Sequence, residues 1–379
     1  MLRIFGLALC LLALASCAGP HPYRFVGATP GNDVELAGTH TILVATTRQK
    51  SDDPAEPFTG QRSAALSFGR IDVTVPAVHK LGSIERPRDG ASDPARTFAA
   101  ANAGAYRDAR DFGAALRGRL GDGNGNVLVF VHGYYSHFGD AVFRVGQIVH
   151  DSGYSGTPVL FSWASSGRFV DYVYDNNSAT AARDALEETL RVIARSGAKH
   201  IDIVAHSMGT WVAVEALRQL AMTGDRDLGG RLGDVVLAAP DIDVDVFKSQ
   251  MRRYGKPDRN FFVLVSRDDR ALSASRLIAG NRPRLGDYAG DKEIADLGVS
   301  VVDLTGVEQG DSLRHAKFAE NPVLVRLLGE RLNDSLGSSR KEVAARLDAI
   351  GPSVGAAVTS ALELVITTPF EVLMIATGG

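Results

Sequence analysis

Serine, aspartate and histidine residues in the second half of the chain occur in an order that suits nucleophilic catalysis. The segment IVAHSMGTW, residues 203–211, places Ser207 in the pattern A-x-S-x-G, one methyl group away from the G-x-S-x-G of a nucleophile elbow. A serine hydroxyl is a weak nucleophile at neutral pH, so it needs a histidine to take its proton and an acid to orient that histidine. Ser207 is therefore our candidate nucleophile, provided that an acid and a histidine follow it.

His315 is the histidine in the place that such a base requires. It lies in VEQGDSLRHAKF, beyond the last strand that we predict. Catalytic groups in open α/β sheets lie at the carboxyl ends of the parallel strands, and His315 is expected at such an end. His132 and His137 have no carboxylate or cysteine cluster nearby in the sequence, so we predict no metal site there.

Three aspartates are candidates for the acid. Asp268 and Asp269 are adjacent in RDDRALSAS, directly after the apolar segment NFFVLVS. Asp241, in APDID, follows the strand after Ser207. All three lie where a predicted strand ends, and spacing leaves the choice among them open.

Two backbone N–H groups are expected to bind the oxyanion of a tetrahedral intermediate. The residue after the nucleophile provides one of them, which here is Met208. The other should come from the loop VHGYYSHF, where a glycine lets the backbone turn close to the substrate. Tyr134 is the expected donor in that loop.

The elements around these residues predict an α/β fold with a mostly parallel sheet covered by helices on both faces. An early pair of strands without a helix between them predicts an antiparallel edge. We predict about eight strands in one domain over residues 40–335. The eight segments are HTILVATT, ALSFGRIDVTVP, GNVLVFVHGYY, TPVLFSW, HIDIVAHS, DVVLAAP, NFFVLVS and VSVVDLT.

The two ends of the chain differ from this pattern. Residues 1–16 have the short apolar run of a secretion signal, and LASC resembles a bacterial lipobox in which Cys17 is lipidated. Residues 17–39 then form a tether, and lipid on Cys17 would anchor the protein to a membrane. We expect a location in the bacterial envelope, at the outer membrane facing the periplasm. The apolar tail, residues 336–379, is predicted to be helical, either docked on the domain or touching lipid.

Composition excludes several other classes of protein. The chain has 379 residues, 45% of them hydrophobic and 22% charged, with a formal net charge of −3. This balance predicts a large hydrophobic core and gives no sign of a nucleic-acid partner. The chain has two cysteines, and Cys10 lies in the predicted signal segment, so we expect no disulfide framework.

Several blocks of the chain resemble the bacterial α/β-hydrolase family DUF900, whose members are described as esterase-like or lipase-like and often carry signal peptides or lipidation sites. The blocks include VFVHGYYSHFGDAVFR, IDIVAHSMGTWVAVEALR, LAAPDIDVDVF and FVLVSRDDRALSAS, in that order. The resemblance implies that alanine at position 205 is a family feature and that Asp269 is the acid. It implies no cofactor and specifies no substrate.

The sequence thus predicts a serine esterase or lipase-like hydrolase acting on a small-molecule or lipid ester. Trp163, Phe169 and Tyr172, just past a predicted strand, are expected to line an apolar acyl pocket or lid, the alternative being that they only pack on the domain. Two other functions are compatible with the same sequence. One is a non-catalytic envelope lipoprotein that keeps the fold, and the other is an acyltransferase that uses the same residues.

Overall fold

The computed structural model describes residues 34–87, 92–307, 313–333, 362–368 and 372–377. Within these ranges, eleven strands form one sheet. The strands are β1 (Leu36–Lys50), β2 (Phe58–Pro76), β3 (Ala99–Tyr106), β4 (Asn126–Val131), β5 (Thr157–Ser162), β6 (His200–His206), β7 (Leu232–Ala238), β8 (Phe261–Val265), β9 (Ser300–Asp303), β10 (Leu362–Thr367) and β11 (Val372–Thr377). The predicted signal peptide, Cys17 and most of the tether lie outside the described residues.

The sheet has a parallel centre and two antiparallel edges. Its order is β11-β10-β9-β8-β7-β6-β4-β5-β1-β2-β3. All neighbours from β1 to β9 through the centre are parallel, while β2 and β3 add antiparallel to one side and β10 and β11 to the other. The predicted α/β-hydrolase type of architecture, including the antiparallel early pair, is confirmed.

Helices follow the parallel strands, as the sequence predicts. They are α1 (Ala109–Asp122), α2 (Phe138–Ser152), α3 (Tyr172–Arg195), α4 (Gly209–Met222), α5 (Val244–Tyr254), α6 (Arg270–Ile278), α7 (Asp291–Ala295), α8 (Lys317–Glu320) and α9 (Pro322–Asn333), with short 3-10 turns at Phe169–Asp171 and Leu285–Asp287. Among the described residues, no helix combines the length and the apolar character that crossing a membrane requires.

Strand β4 shows why the central strands are almost wholly apolar. Val127, Val129 and Val131 face one hydrophobic cluster, which α1, α3, α4 and α5 complete. Leu128 and Phe130 face the other cluster, which α2 and the last helices complete. Alternate residues of a strand point to opposite faces, so a strand covered on both faces is apolar at most positions on both sides.

Helix α9 begins at an Asn-Pro pair. The side chain of Asn321 accepts hydrogen bonds from the backbone N–H groups of Val323 and Leu324, at 3.0 and 3.1 Å. Pro322 occupies the first helical position, where its missing N–H costs nothing. The helix therefore begins where the Asn-Pro pair indicates.

Two parts of the sheet differ from the sequence prediction. Strand β3 was not predicted, because its sequence AAANAGAY has low β-propensity. The segment becomes a strand through its pairing with β2. The prediction of a helical tail is wrong for residues 362–367 and 372–377, which form an antiparallel hairpin beside β9. This pairing satisfies the backbone hydrogen-bonding groups of an apolar segment by adding two strands to the sheet. The hydrophobic periodicity of the segment did not indicate this pairing. The first strand also begins at Leu36, slightly before the predicted boundary.

Candidate active site

Ser207 lies in a tight turn between β6 and α4. Its backbone φ is +53°, a left-handed conformation that is unfavourable for residues with a side chain. Gly209 allows the turn, because a Cβ there would lie 2.2 Å from the backbone oxygen of His132 and clash with it. A strained serine at the carboxyl end of a central strand is the geometry of a nucleophile elbow.

Ala205 occupies the position where the elbow pattern has glycine. It is fully buried in β6, between Val131 of β4 and Leu237 of β7. Its methyl group forms part of the hydrophobic core on the α4 face. The alanine is thus accommodated by packing, and it leaves the turn at Ser207 intact.

His315 and Asp269 form a close pair at the same end of the sheet as Ser207, where the parallel strands have their carboxyl ends. The Nδ1 atom of His315 lies 2.7 Å from Oδ2 of Asp269, whose side chain is fully buried. The other carboxylate oxygen of Asp269 accepts the backbone N–H of Leu272 at 3.0 Å, so the carboxylate also caps α6. An aspartate fixed in this way orients the imidazole.

Asp268 has different partners, although it is the neighbour of Asp269. Its carboxylate accepts hydrogen bonds from Lys317 at 2.6 Å and from Arg314 at 2.9 Å. Partial burial opposes ionisation, but hydrogen bonds from Lys317 and Ser266 outweigh it and lower the pKa of Asp268 to about 2. Asp268 is therefore an ion-pair residue that fixes the segment around His315.

Asp241, the third candidate acid, belongs to a separate buried cluster. Its carboxylate accepts the hydroxyl groups of Tyr172 at 3.0 Å and Ser275 at 2.6 Å, and lies 3.2 Å from Nε of Arg284. Its backbone N–H donates to the carbonyl of Ser207 at 3.2 Å. The Asp241 cluster thus holds the elbow through the backbone of Ser207, while Asp269 is the aspartate that faces His315.

His206, the residue before Ser207, brings His315 to the elbow. The two imidazole rings are 4.7 Å apart between centroids, and Nε2 of His206 donates to the backbone oxygen of His315 at 3.2 Å. Burial, followed by the charge of His315, lowers the pKa of His206 well below its ordinary value. A neutral His206 can donate this hydrogen bond without competing for the proton of the site. Sequence reasoning gave His206 no role.

The loop after β4 lies directly against Ser207. A Cβ on Gly133 would be 2.7 Å from the Cβ of Ser207, so only glycine allows this approach. Within the described parts of the chain, the backbone N–H groups of Tyr134 and Met208 donate to no other group. The two predicted oxyanion donors therefore flank the elbow with their N–H groups unused, as such donors require.

Arg48, on β1, holds this loop and the loop after β5 together. Its guanidinium is buried and donates to the backbone oxygens of Ser136 at 2.7 Å and Ser165 at 2.8 Å, and to Oγ of Ser162 at 2.8 Å. Burial lowers the pKa of Arg48 to about 10, which leaves it charged at neutral pH. The sequence offered no signal for this residue, because its partners lie in segments distant along the chain.

Ser162 and His132 form a serine–histidine contact outside the elbow. The Oγ of Ser162 lies 3.1 Å from Nε2 of His132, and both residues are buried. Burial, then the charge of Arg48, lowers the pKa of His132 to about 3. Nδ1 of His132 contacts the backbone oxygen of Gly133 at 2.8 Å, where a catalytic histidine would have a carboxylate. This pair belongs to the scaffold of the loop.

The three aromatic residues predicted to line a pocket have separate places. Trp163 is fully buried, stacks on His132 and donates to its backbone oxygen at 2.7 Å, so the pocket prediction is wrong for Trp163. Phe169 is 57% exposed, and its backbone oxygen accepts the hydroxyl of Tyr134. Tyr172 packs edge-on against the ring of Tyr134, with centroids 5.3 Å apart. Phe169 and Tyr172 therefore lie beside the loop of the expected oxyanion donor.

The sheet, the elbow and the histidine–aspartate pair define the class of the protein as an α/β hydrolase. Residues 110–331, more than half of the chain, match the family described as alpha/beta hydrolase of unknown function (DUF900). The chain belongs to this family, as its blocks of sequence indicated. No curated protein sequence matches the chain.

Solved structures of several esterases are similar to this chain at low identity. An esterase from Pyrococcus furiosus is 12% identical with a TM-score of 0.34, over 84% of this chain and 100% of the other. Carboxyl esterase 2 from Tuber melanosporum is 11% identical with a TM-score of 0.39, over 86% and 96%. A fungal esterase from Rhizomucor miehei is 10% identical with a TM-score of 0.38, over 80% of this chain and 86% of the other.

Proposed function

We propose that this protein is a serine hydrolase that cleaves carboxylic esters through an acyl-enzyme on Ser207. The observation that carries the proposal is the pair of His315 and Asp269, 2.7 Å apart, packed through His206 against an elbow that holds Ser207 at positive φ. A nucleophile, a base and an oriented acid are the parts that acyl transfer needs.

Each residue has a defined role in the proposed reaction. His315 Nε2 takes the proton of Ser207 as its Oγ attacks the ester carbonyl, and Asp269 stabilises the imidazolium that forms. The N–H groups of Tyr134 and Met208 bind the oxyanion. His315 then protonates the leaving alcohol, and a water molecule activated by His315 hydrolyses the acyl-enzyme.

The surroundings of the elbow favour an ester with an apolar acyl group. Phe169, Val170 and Val173 are large apolar side chains that are more than half exposed beside the Tyr134 loop. Contiguous exposed apolar residues next to a polar site are typical of ligand-binding grooves. Lipid esters are the members of this class that best match the expected membrane anchor.

Labelling with a fluorophosphonate probe tests the nucleophile. We expect the wild-type protein to label, Ser207→Ala to lose labelling, and the matched control Ser162→Ala to keep it. Absence of labelling in a folded wild-type protein would favour the non-catalytic lipoprotein. Labelling that depends on Ser162 would contradict the assignment of Ser207.

A panel of p-nitrophenyl esters of increasing chain length tests the substrate class. We expect kcat/KM to rise from acetyl to longer acyl chains, by up to about 1 kcal/mol of transition-state binding for each buried methylene. Equal turnover of all chain lengths would count against an apolar acyl site. Product analysis with an added alcohol acceptor would separate hydrolysis from acyl transfer.

We also propose that lipid on Cys17 anchors the enzyme in the bacterial envelope, at the outer membrane. The support is the sequence LASC after a short apolar segment, since lipidated cysteines follow such segments. Fractionation of a bacterial host on a density gradient tests it. Wild-type protein should sediment with the outer membrane and Cys17→Ser should not, whereas soluble wild-type protein would refute the anchor.

A further inference from the structure

A second cluster of ionisable side chains lies at the end of the sheet opposite to Ser207. It contains His79, from the segment after β2, and His150 and Asp151, from the last turn of α2. Helix α2 begins in the active-site loop and runs back across the sheet, which separates the two ends by about 20 Å. The cluster therefore has no part in the chemistry proposed for Ser207.

The donor atoms of this cluster converge. Nε2 of His79 lies 2.6 Å from Oδ1 of Asp151, and one ring nitrogen of His150 lies within 4.8 Å of both other donors. Tetrahedral zinc, with ligands at about 2.0–2.2 Å, needs donors about 3.3 Å apart. Small side-chain rotations thus bring these three donors onto one ion.

Surrounding groups hold the donors in place. Nδ1 of His79 lies 2.8 Å from Glu85, and Oδ2 of Asp151 accepts the backbone N–H of Gly82 and the side-chain amide of Gln147, each at 2.7 Å. A carboxylate on the second nitrogen of a histidine is the usual support of a metal-binding imidazole.

A fourth possible donor lies next to the cluster. Nε2 of His40 is 3.1 Å from Nδ1 of His150, and the two rings pack edge to face with centroids 5.3 Å apart. His40 is therefore within reach of an ion bound at His150.

We propose that His79, His150 and Asp151 form a binding site for a divalent transition metal, for which Zn²⁺ is the probe. Two imidazoles and one carboxylate are ligands that zinc accepts, and water or His40 completes the coordination. The ion would join the segment after β2 to the end of α2. The site differs from the expectation of no metal in this protein, and it does not depend on the proposed hydrolase activity.

Calorimetric titration of the metal-free full-length chain, made without a polyhistidine tag, tests the site. We expect about one equivalent of Zn²⁺ to bind and to raise the Tm, and Mg²⁺, which prefers oxygen ligands, to do neither. His150→Gln should weaken zinc binding by about 100-fold or more, and Glu85→Gln by about 10-fold.

His200→Gln is the matched control, because His200 lies at the same end of the sheet at the start of β6. It should bind zinc as the wild type does. His150→Gln should keep the Tm and the far-UV circular dichroism spectrum of the metal-free wild type, which shows that it is folded. Failure of the wild type to bind zinc, or equal zinc affinity in folded His150→Gln, would overturn the proposal.

Discussion

At the scale of single residues, the site depends on which of two adjacent carboxylates faces His315. Asp269 is buried, caps α6 and contacts His315, whereas Asp268 points to Lys317 and Arg314. Successive side chains at the start of a helix diverge, so one aspartate orients the imidazole and its neighbour fixes the segment that carries it. The two roles predict different consequences of removing each charge.

Asp269→Asn should lower kcat for an ester substrate by about 10⁴-fold, because an amide favours the wrong tautomer of His315. Asp268→Asn is the matched control and should lower kcat by less than about 10-fold while reducing Tm, since it breaks the ion pairs with Lys317 and Arg314. Steady-state kinetics with a p-nitrophenyl ester and thermal unfolding of both variants measure this. The reverse order of the two effects on kcat would show that Asp268 is the acid.

At the scale of elements, two loops that carry no regular structure are fixed by one buried side chain. Arg48 lies on β1, at the side of the parallel centre, yet its guanidinium reaches the loops after β4 and β5. A planar fork with five donors can satisfy several carbonyls at once, which a lysine cannot. Arg48 is therefore a positioning residue for the Tyr134 loop.

Arg48→Lys should lower kcat by about 10- to 100-fold with a smaller change in KM, because a shift of about 1 Å in an oxyanion donor weakens the transition state more than the bound substrate. Arg62→Lys is the control, since Arg62 contacts Ser178 and the ring of Tyr174 away from the elbow. Initial rates over ester concentrations that span KM separate the two parameters. A lower Tm with unchanged kcat would mean that Arg48 only stabilises the fold.

At the scale of the whole molecule, one buried carboxylate in β6 links global stability to pH. Burial raises the pKa of Asp202 to about 7, although its side chain accepts the backbone N–H of Asp234 at 2.8 Å. In the unfolded chain an aspartate titrates near 3.9. The folded protein therefore binds more protons than the unfolded chain between these values, and the stability from Asp202 is present below about pH 4 and lost as pH rises toward 7.

Asp202→Asn should remove this dependence, because an amide accepts the same hydrogen bond and stays neutral. The difference in free energy of unfolding between the variant and the wild type should grow in favour of the variant by up to about 1.4 kcal/mol per pH unit between about pH 4 and 7. Urea unfolding of both proteins across this range measures it. A difference that stays constant with pH would contradict the raised pKa of Asp202.

Much of the fold and of the candidate site was determined by local sequence. Central strands covered on both faces are mostly apolar, so the six strands from β4 to β9 could be recognised one by one, and the elbow around Ser207 has a short-range pattern. The order of serine, aspartate and histidine along the chain then indicated the chemistry, while the family resemblance, rather than spacing, selected Asp269.

Tertiary structure decided the features whose partners are far apart along the chain. The pairing of β3 and of the tail hairpin depends on exposed sheet edges, which can impose a strand on segments of weak or misleading propensity. Arg48, His206 and the His79 cluster act through contacts between elements, and Trp163 is a core residue because His132 lies over it. Sequence spacing shows which side chains lie on the same face of one helix or strand. Only packing determines which side chains from elements distant along the chain come into contact.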